Sequence, residues 1–152
     1  MSEITHTDGS PLYVDDLDQP NQDRVKATLE QAWGCRLCTF GKLAVVDYFV
    51  LQHERICAIV EIKTRYHAST KFDTVYCSVR KYDALLRYQQ CFGVPGLFVA
   101  HFTDDLRFIR VGDIDHTRIT LSGRKDRKSA TDIEPLIEVP ISAMTVVRAT
   151  SH

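Results

Sequence analysis

No apolar run in this chain approaches the roughly 18 residues that a membrane helix needs, so a membrane is not an expected partner. The first residues are acidic and polar rather than basic and apolar, unlike a secretory signal. Neither sign of charge prevails. Nineteen Lys and Arg stand against twenty Asp and Glu, so net charge alone does not announce a nucleic-acid binder. The five cysteines are odd in number and irregularly spaced, which argues against a disulfide framework and for a reduced, cytoplasmic protein. Cys35 and Cys38 form a C-x-x-C, but no second pair of similar spacing follows. They are better taken as two thiols at the start of a strand than as a zinc site. A glycine-rich phosphate loop, a Ser/His/Asp order, an internal repeat and a low-complexity tract are all missing from the sequence.

What is present suits one globular domain. The 152 residues are 44 % hydrophobic and 26 % charged, enough for a single buried core. Charge is unevenly spread. Residues 1–23 carry no Lys or Arg, whereas Lys63, Arg65, Lys71, Arg80, Lys81 and Arg87 outnumber the acids of their stretch. A local basic face of that kind can meet phosphates although the whole chain is near neutral.

Residues 1–17 are expected to be a flexible acidic arm. Asp18 as cap and Pro20 in the first turn start a helix from about residue 20 to 33, with Val25, Leu29, Ala32 and Trp33 at helical spacing and Gly34 as its stop. Strands are expected at Cys35–Phe40, Ala44–Leu51 and Arg55–Thr64, the last two as a hairpin around Gln52, His53 and Glu54. Their unbroken apolar runs predict strands covered on both faces. Residues 65–77 suggest a loop with a short extended piece. Ser78 caps a second helix that reaches Phe92 and ends at Gly93. Strands at Pro95–Phe102 and Leu106–Val111 pair across Thr103, Asp104 and Asp105, and Thr117–Leu121 is an edge strand. Gly123–Ser129 is a charged loop, and Leu136–Val147 holds weak strands broken by Pro140. The expected fold is α/β. A core over 18–112, ordered αβββαβ, has a mixed central sheet flanked by helices. Residues 113–152 are a β-rich C-terminal extension of the same domain.

Three charges inside this apolar pattern need a reason. Asp47 interrupts one buried strand, and Glu61 and Lys63 interrupt the next. An unpaired buried carboxylate costs several kcal/mol, on the order of the penalty for any buried charge, unless an ion pair or a metal offsets it. Alternation puts Glu61 and Lys63 on one face of their strand. With a three-residue hairpin loop, His53 to Arg55, Asp47 stands directly across from Glu61. Two carboxylates so placed repel unless a cation lies between them. Mg²⁺, or Mn²⁺ in its stead, suits such a site, with the backbone carbonyl of Ile62 as a further ligand. The plainer alternative is a buried salt bridge of Asp47 and Glu61 with Lys63, which leaves one negative charge uncompensated.

Asp-x13-Glu-Ile-Lys on a hairpin between two helices resembles the PD-(D/E)XK nuclease superfamily. The pattern is most similar to archaeal-type Holliday-junction resolvases and phage-encoded nucleases of that fold, from about Asp23 to Val111. The carrying segments are VVDYFV, AIVEIKTR, LLRYQQCFG and VPGLFVAHF followed by LRFIRV. Val46 stands where the motif's name has proline. The resemblance implies a restriction-endonuclease-like fold and a Mg²⁺-dependent endodeoxyribonuclease, with Asp47, Glu61 and Lys63 catalytic. It implies metal binding by Asp47, Glu61 and Ile62, helped by an acid on helix 1, for which Asp23 is preferred to Glu30. It further implies DNA as the partner, branched or single-stranded, a homodimer, and a role in recombination, replication or repair, in the host cytoplasm for a phage protein.

Arg65 and Lys71, in the loop beyond the E-x-K strand, and Arg80 and Lys81, in the first turn of helix 2, are the expected nucleic-acid contacts. The charge run Arg124–Lys128 is another candidate, although such runs are usually solvated. Gln89 and Gln90 suit an ordinary surface better than a DNA contact, and His53 and His101 receive no role. The main alternative is a catalytically silent nucleic-acid-binding module that retains the nuclease fold.

Overall fold

In the computed structural model, which describes residues 18–41, 44–123 and 133–148, helix α1 spans Asp18–Trp33 and stops where Gly34 turns left-handed at φ 61°. The expected arm at 1–17 and the charge run at Arg124–Lys128 lie outside the described residues. Strands β1 (Arg36–Thr39), β2 (Tyr48–Gln52) and β3 (Arg55–Thr64) follow. Then come β4 (Thr74–Ser78), α2 (Val79–Phe92), β5 (Gly96–His101) and β6 (Leu106–Arg110). β7 (Ile119–Gly123), β8 (Ile133–Pro140) and the short β9 (Thr145–Val146) complete the order. The expected α/β architecture is present. A six-stranded mixed sheet has the order β1-β2-β3-β5-β6-β9, and only the β3–β5 pair is parallel. A parallel pair needs a crossover, which β4 and α2 supply.

The two faces of the sheet bury different partners. Ala58, Val60 and Ile62 of β3 pack with Val25 and Leu29 of α1. The other face carries Ile59 against Ala84 and Leu85 of α2. Ser78 caps α2 by accepting a hydrogen bond from the Lys81 N–H at 3.1 Å, and Gly93 closes it in the left-handed region. The extended piece foreseen within 65–77 is β4, but it does not join the main sheet. It founds a second, three-stranded sheet, β4-β8-β7. Val75 and Cys77 of β4 and Ile137 and Val139 of β8 share the core of Ile59, Leu85 and Phe98. The C-terminal strands therefore help to bury the same core as the helices.

Two expectations are corrected here. Ala44–Asp47 is not strand, because Thr39 pairs with Tyr48 and the intervening residues are the β1–β2 connection. Its apolar character has another cause: Val46 is buried in the α2-side core. The β2–β3 loop is also shorter than expected. Gln52 pairs with Arg55, which leaves only His53 and Glu54 in the turn. That alone would shift the register by one. A bulge restores it, since Val50 faces Ala58 while Leu51 faces Ile56, so Cys57 is the extra residue. Beyond the bulge the partners again follow the register that sets Asp47 opposite Glu61, as in Tyr48 opposite Val60.

His53 and Glu54 have φ of 50° and 62°, a left-handed pair suited to Asn-Gly. Replacing them by His53→Asn and Glu54→Gly is expected to raise unfolding stability by roughly 1–2 kcal/mol in a urea titration. No gain would show that this turn stores no strain.

Candidate active site

β3 runs beyond the start of β2, and the site lies at that overhang. The Ile59 N–H donates to the Pro95 carbonyl at 2.9 Å and the Arg65 N–H to the His101 carbonyl at 2.7 Å. Odd-numbered backbone groups of β3 therefore face β5, and even-numbered ones face the β2 side. At Ile62 that side has no strand partner. The Asp47 carboxylate takes its place, with Oδ2 accepting from the Ile62 N–H at 2.8 Å. The Ile62 carbonyl points to the same edge as its N–H, so it opens beside the Asp47 carboxylate.

Glu61, next along β3, is on the α2 face and only 5 % exposed. Its Oε1 meets the Lys81 ammonium at 2.9 Å, and its buried Oε2 has no hydrogen-bond partner among the described residues. Burial and then the charge of Asp47 push the Glu61 carboxyl up to about 7, against the pull of Lys81. Burial also raises the Asp47 carboxyl, opposed by the Ile62 N–H, the Lys81 charge, a Gln22 side-chain hydrogen bond and the Lys63 charge. Lys63, two residues beyond Glu61 on the same face, is exposed and near enough to act on Asp47. Glu61 and Lys63 thus share the α2 face of β3, Asp47 sits at the open edge of the same strand on the Ile62 N–H, and the rim is open to solvent at Lys63. Cys77 of β4 backs the site. Burial and then Glu61 push its thiol up to about 12, so it remains a thiol rather than a nucleophile.

Two helix residues touch the acid pair in ways the sequence reading did not assign. Lys81, expected on the nucleic-acid face, crosses from α2 into the acid pair and also donates to the Val45 carbonyl. The signal was available, because Lys81 precedes the buried Ala84 and Leu85 by three and four residues on the α2 stripe. The α1 residue bonded to Asp47 is Gln22. It lies three and seven residues before Val25 and Leu29, a polar side chain on an apolar stripe. Asp23 is exposed and acts electrostatically on Tyr48, the neighbour of Asp47. Among the described residues, no three Asp, Glu, His or Cys side chains converge as an ion cage. Glu30, the rival of Asp23, accepts from the Leu37 N–H at 3.2 Å, an anchor for the start of β1.

The expected nucleic-acid contacts are dispersed. Arg65 is half-buried and donates to the Tyr76 carbonyl at 3.1 Å, so it braces β4. Lys71 is exposed over the Phe72 ring, 5.4 Å from its centroid. Arg80 is exposed beside Val45, Arg87 and Tyr88 along a groove of about 370 Å³. The loop between β3 and β4 is pinned by Asp104, which accepts from both the N–H and the hydroxyl of buried Ser69 at 2.7 Å.

Residues 10–147 match the family of phage PDDEXK endonucleases. The chain belongs to the phage PDDEXK endonuclease family. The Holliday junction resolvase Hjc of Archaeoglobus fulgidus has a similar structure. Its TM-score is 0.56 at 14 % identity, and the match covers 82 % of this chain and 89 % of Hjc. That likeness shows a shared fold. No curated protein matches the chain. Among the described residues, no helix of this PDDEXK protein is long and apolar enough to cross a membrane.

The donors at the overhang fit a hard divalent cation. They comprise two carboxylates, one with an orphaned buried oxygen, and a strand carbonyl with no strand opposite. In a metal-free PDDEXK site, folding raises the Glu61 pKa from 4.5 to about 7, so the folded chain holds a proton that the unfolded chain releases. Stability contributed by that proton is full below about pH 4.5 and is lost as pH rises through about 7. Asp104 and Asp115 are held low by hydrogen bonds from Ser69 and Thr117, burial raises Asp47 in the same sense as Glu61, and burial lowers the His101 imidazole, which opposes the trend. In a chelator, the melting temperature is expected to fall by roughly 5 °C from about pH 5.5 to about pH 8, and Glu61→Gln to flatten the slope. A rise over that range in the unmutated protein would contradict the assignment.

Proposed function

We propose that the chain is a metal-dependent endonuclease that hydrolyses DNA phosphodiester bonds. The observation that carries this reading is Asp47 at the open edge of β3 and buried Glu61 beside it on the α2 face, close enough to act on each other's charge, with Lys63 at the exposed rim. Membership of a phage endonuclease family supports the same reaction class. In this reading Asp47, Glu61 and the Ile62 carbonyl hold a magnesium ion, and manganese substitutes for it. A divalent ion held there lowers the pKa of water and offsets charge on the phosphate. Lys63 points from the same face into solvent, where a scissile phosphate would enter. Its ammonium orients the attacking water and neutralises the charge that develops on the phosphate oxygens. Arg80 and Lys71, both exposed, contact the flanking backbone as screenable phosphate partners.

Branched DNA is the substrate we infer first, because the structural neighbour from Archaeoglobus fulgidus is a Holliday junction resolvase. A homodimer acting in the cytoplasm on recombination or repair intermediates completes the proposal. The test gives labelled four-way-junction, linear duplex and single-stranded DNA to the purified protein, with magnesium, manganese or chelator. Cutting is expected only with metal and fastest on the junction. Lys63→Ala should lower the rate by roughly a hundredfold or more, as expected when a transition-state charge contact is lost. Undiminished cutting by Lys63→Ala would overturn the mechanism. Binding without cutting on every substrate would identify a silent DNA-binding module instead.

A further inference from the structure

Lys81 holds a place that a two-carboxylate metal site does not need to fill with an amine. Its side chain leaves the buried stripe of α2 and meets the Glu61 Oε1 at 2.9 Å. The same ammonium donates to the Val45 carbonyl, in the connection that carries Asp47. It also acts electrostatically on the Asp47 carboxyl. One cation therefore ties α2, the β1–β2 connection and β3 together around the acid pair. Its side chain is one-third exposed, so a path to solvent exists for the ammonium.

We propose that Lys81 is a resident counter-cation which a divalent metal displaces from Glu61. This inference rests on the metal reading of Asp47 and Glu61. The physical reason is charge balance in a small, dry space. Without metal, two carboxylates flank a buried strand, and a buried acid left unpaired is strongly destabilising. Lys81 offsets that charge while the site waits. A divalent ion between the same carboxylates repels an ammonium in direct contact with one of them. It also competes for the Glu61 oxygen that the ammonium holds. The flexible four-carbon stem of lysine lets the ammonium leave without moving the helix backbone. Released toward solvent, it adds a positive charge at the mouth of the site, where a phosphate would meet it. The site is then kept in shape by an internal cation before metal arrives, and the same residue becomes a phosphate contact afterwards.

The test reads the amine itself. The unmodified full chain would be reductively methylated in chelator and in saturating magnesium, with labelling at each lysine read by mass spectrometry. Exposed Lys71 is the internal reference. A thermal-shift titration with magnesium, on the same protein and on Glu61→Gln, establishes first whether metal binds through Glu61. Lys81 is expected to be protected in chelator and to label several-fold faster in magnesium. In Glu61→Gln it should label fast without metal, because its ionic partner is gone. Magnesium that stabilises the protein through Glu61 while Lys81 stays protected would overturn the displacement and leave the metal site standing. No thermal shift with magnesium or manganese at any concentration would overturn the metal reading itself, and this inference with it. Should Glu61→Gln fail to fold, the comparison of chelator with magnesium in the unmutated chain still decides.

Discussion

A carboxylate buried in the middle of a β-sheet is the constraint on which this structure turns. Glu61 is flanked in β3 by buried Val60 and Ile62, and one of its oxygens has no hydrogen-bond partner among the described residues. Such a group persists only beside positive charge. The fold brings that charge from α2 as Lys81, while Lys63 at the rim of the same strand acts on Asp47. Asp47 adds a second acid, and one oxygen is left over for a ligand from outside. Apolar side chains would pack there at less cost, so stability alone does not call for the pair.

The remaining architecture serves to hold that group at an opening. β2 begins at Tyr48, so β3 has no strand partner on that side beside Ile62, and the Asp47 carboxylate fills the gap in the ladder. α1 covers one face of the sheet and lends Gln22 to Asp47. α2 and the small second sheet cover the other face and bring Lys81 and Cys77 to Glu61. Beyond the site, Asp104 fastens the β3–β4 loop to the β5–β6 turn. The Thr103 N–H repeats that bond on the His67 carbonyl at 3.0 Å.

Much of this was legible before the structure. Both helices, the E-x-K strand and the β5–β6 pair are where periodicity, caps and glycine stops put them, because their signals are local. The acid pair was legible too, since a charge inside an apolar run is conspicuous. What failed depended on non-local geometry. The apolar Ala44–Asp47 stretch resembles a strand, but the pairing of Thr39 with Tyr48 makes it a connection. The hairpin register came out right for an incomplete reason, because a shorter turn is balanced by a bulge at Cys57 that no propensity announces. The second sheet joins residues some 60 apart in sequence, Val75 with Val139, which no window of local pattern can pair. Lys81 and Gln22 were visible as polar residues on apolar helix stripes. Lys81 was named with Arg80 as a DNA contact rather than as a partner of Glu61, and charged Asp23 drew attention ahead of Gln22, because charge is the commoner sign of a nucleic-acid or metal contact.

The central claim is that Asp47 and Glu61 together bind a divalent ion. Anomalous diffraction from crystals soaked in manganese tests it most directly. A manganese peak between the two carboxylates, beside the Ile62 carbonyl and absent from Glu61→Gln crystals, is the result this account predicts. Crystals that show no manganese there at saturating concentration, or show it only at unrelated surface acids, would contradict it.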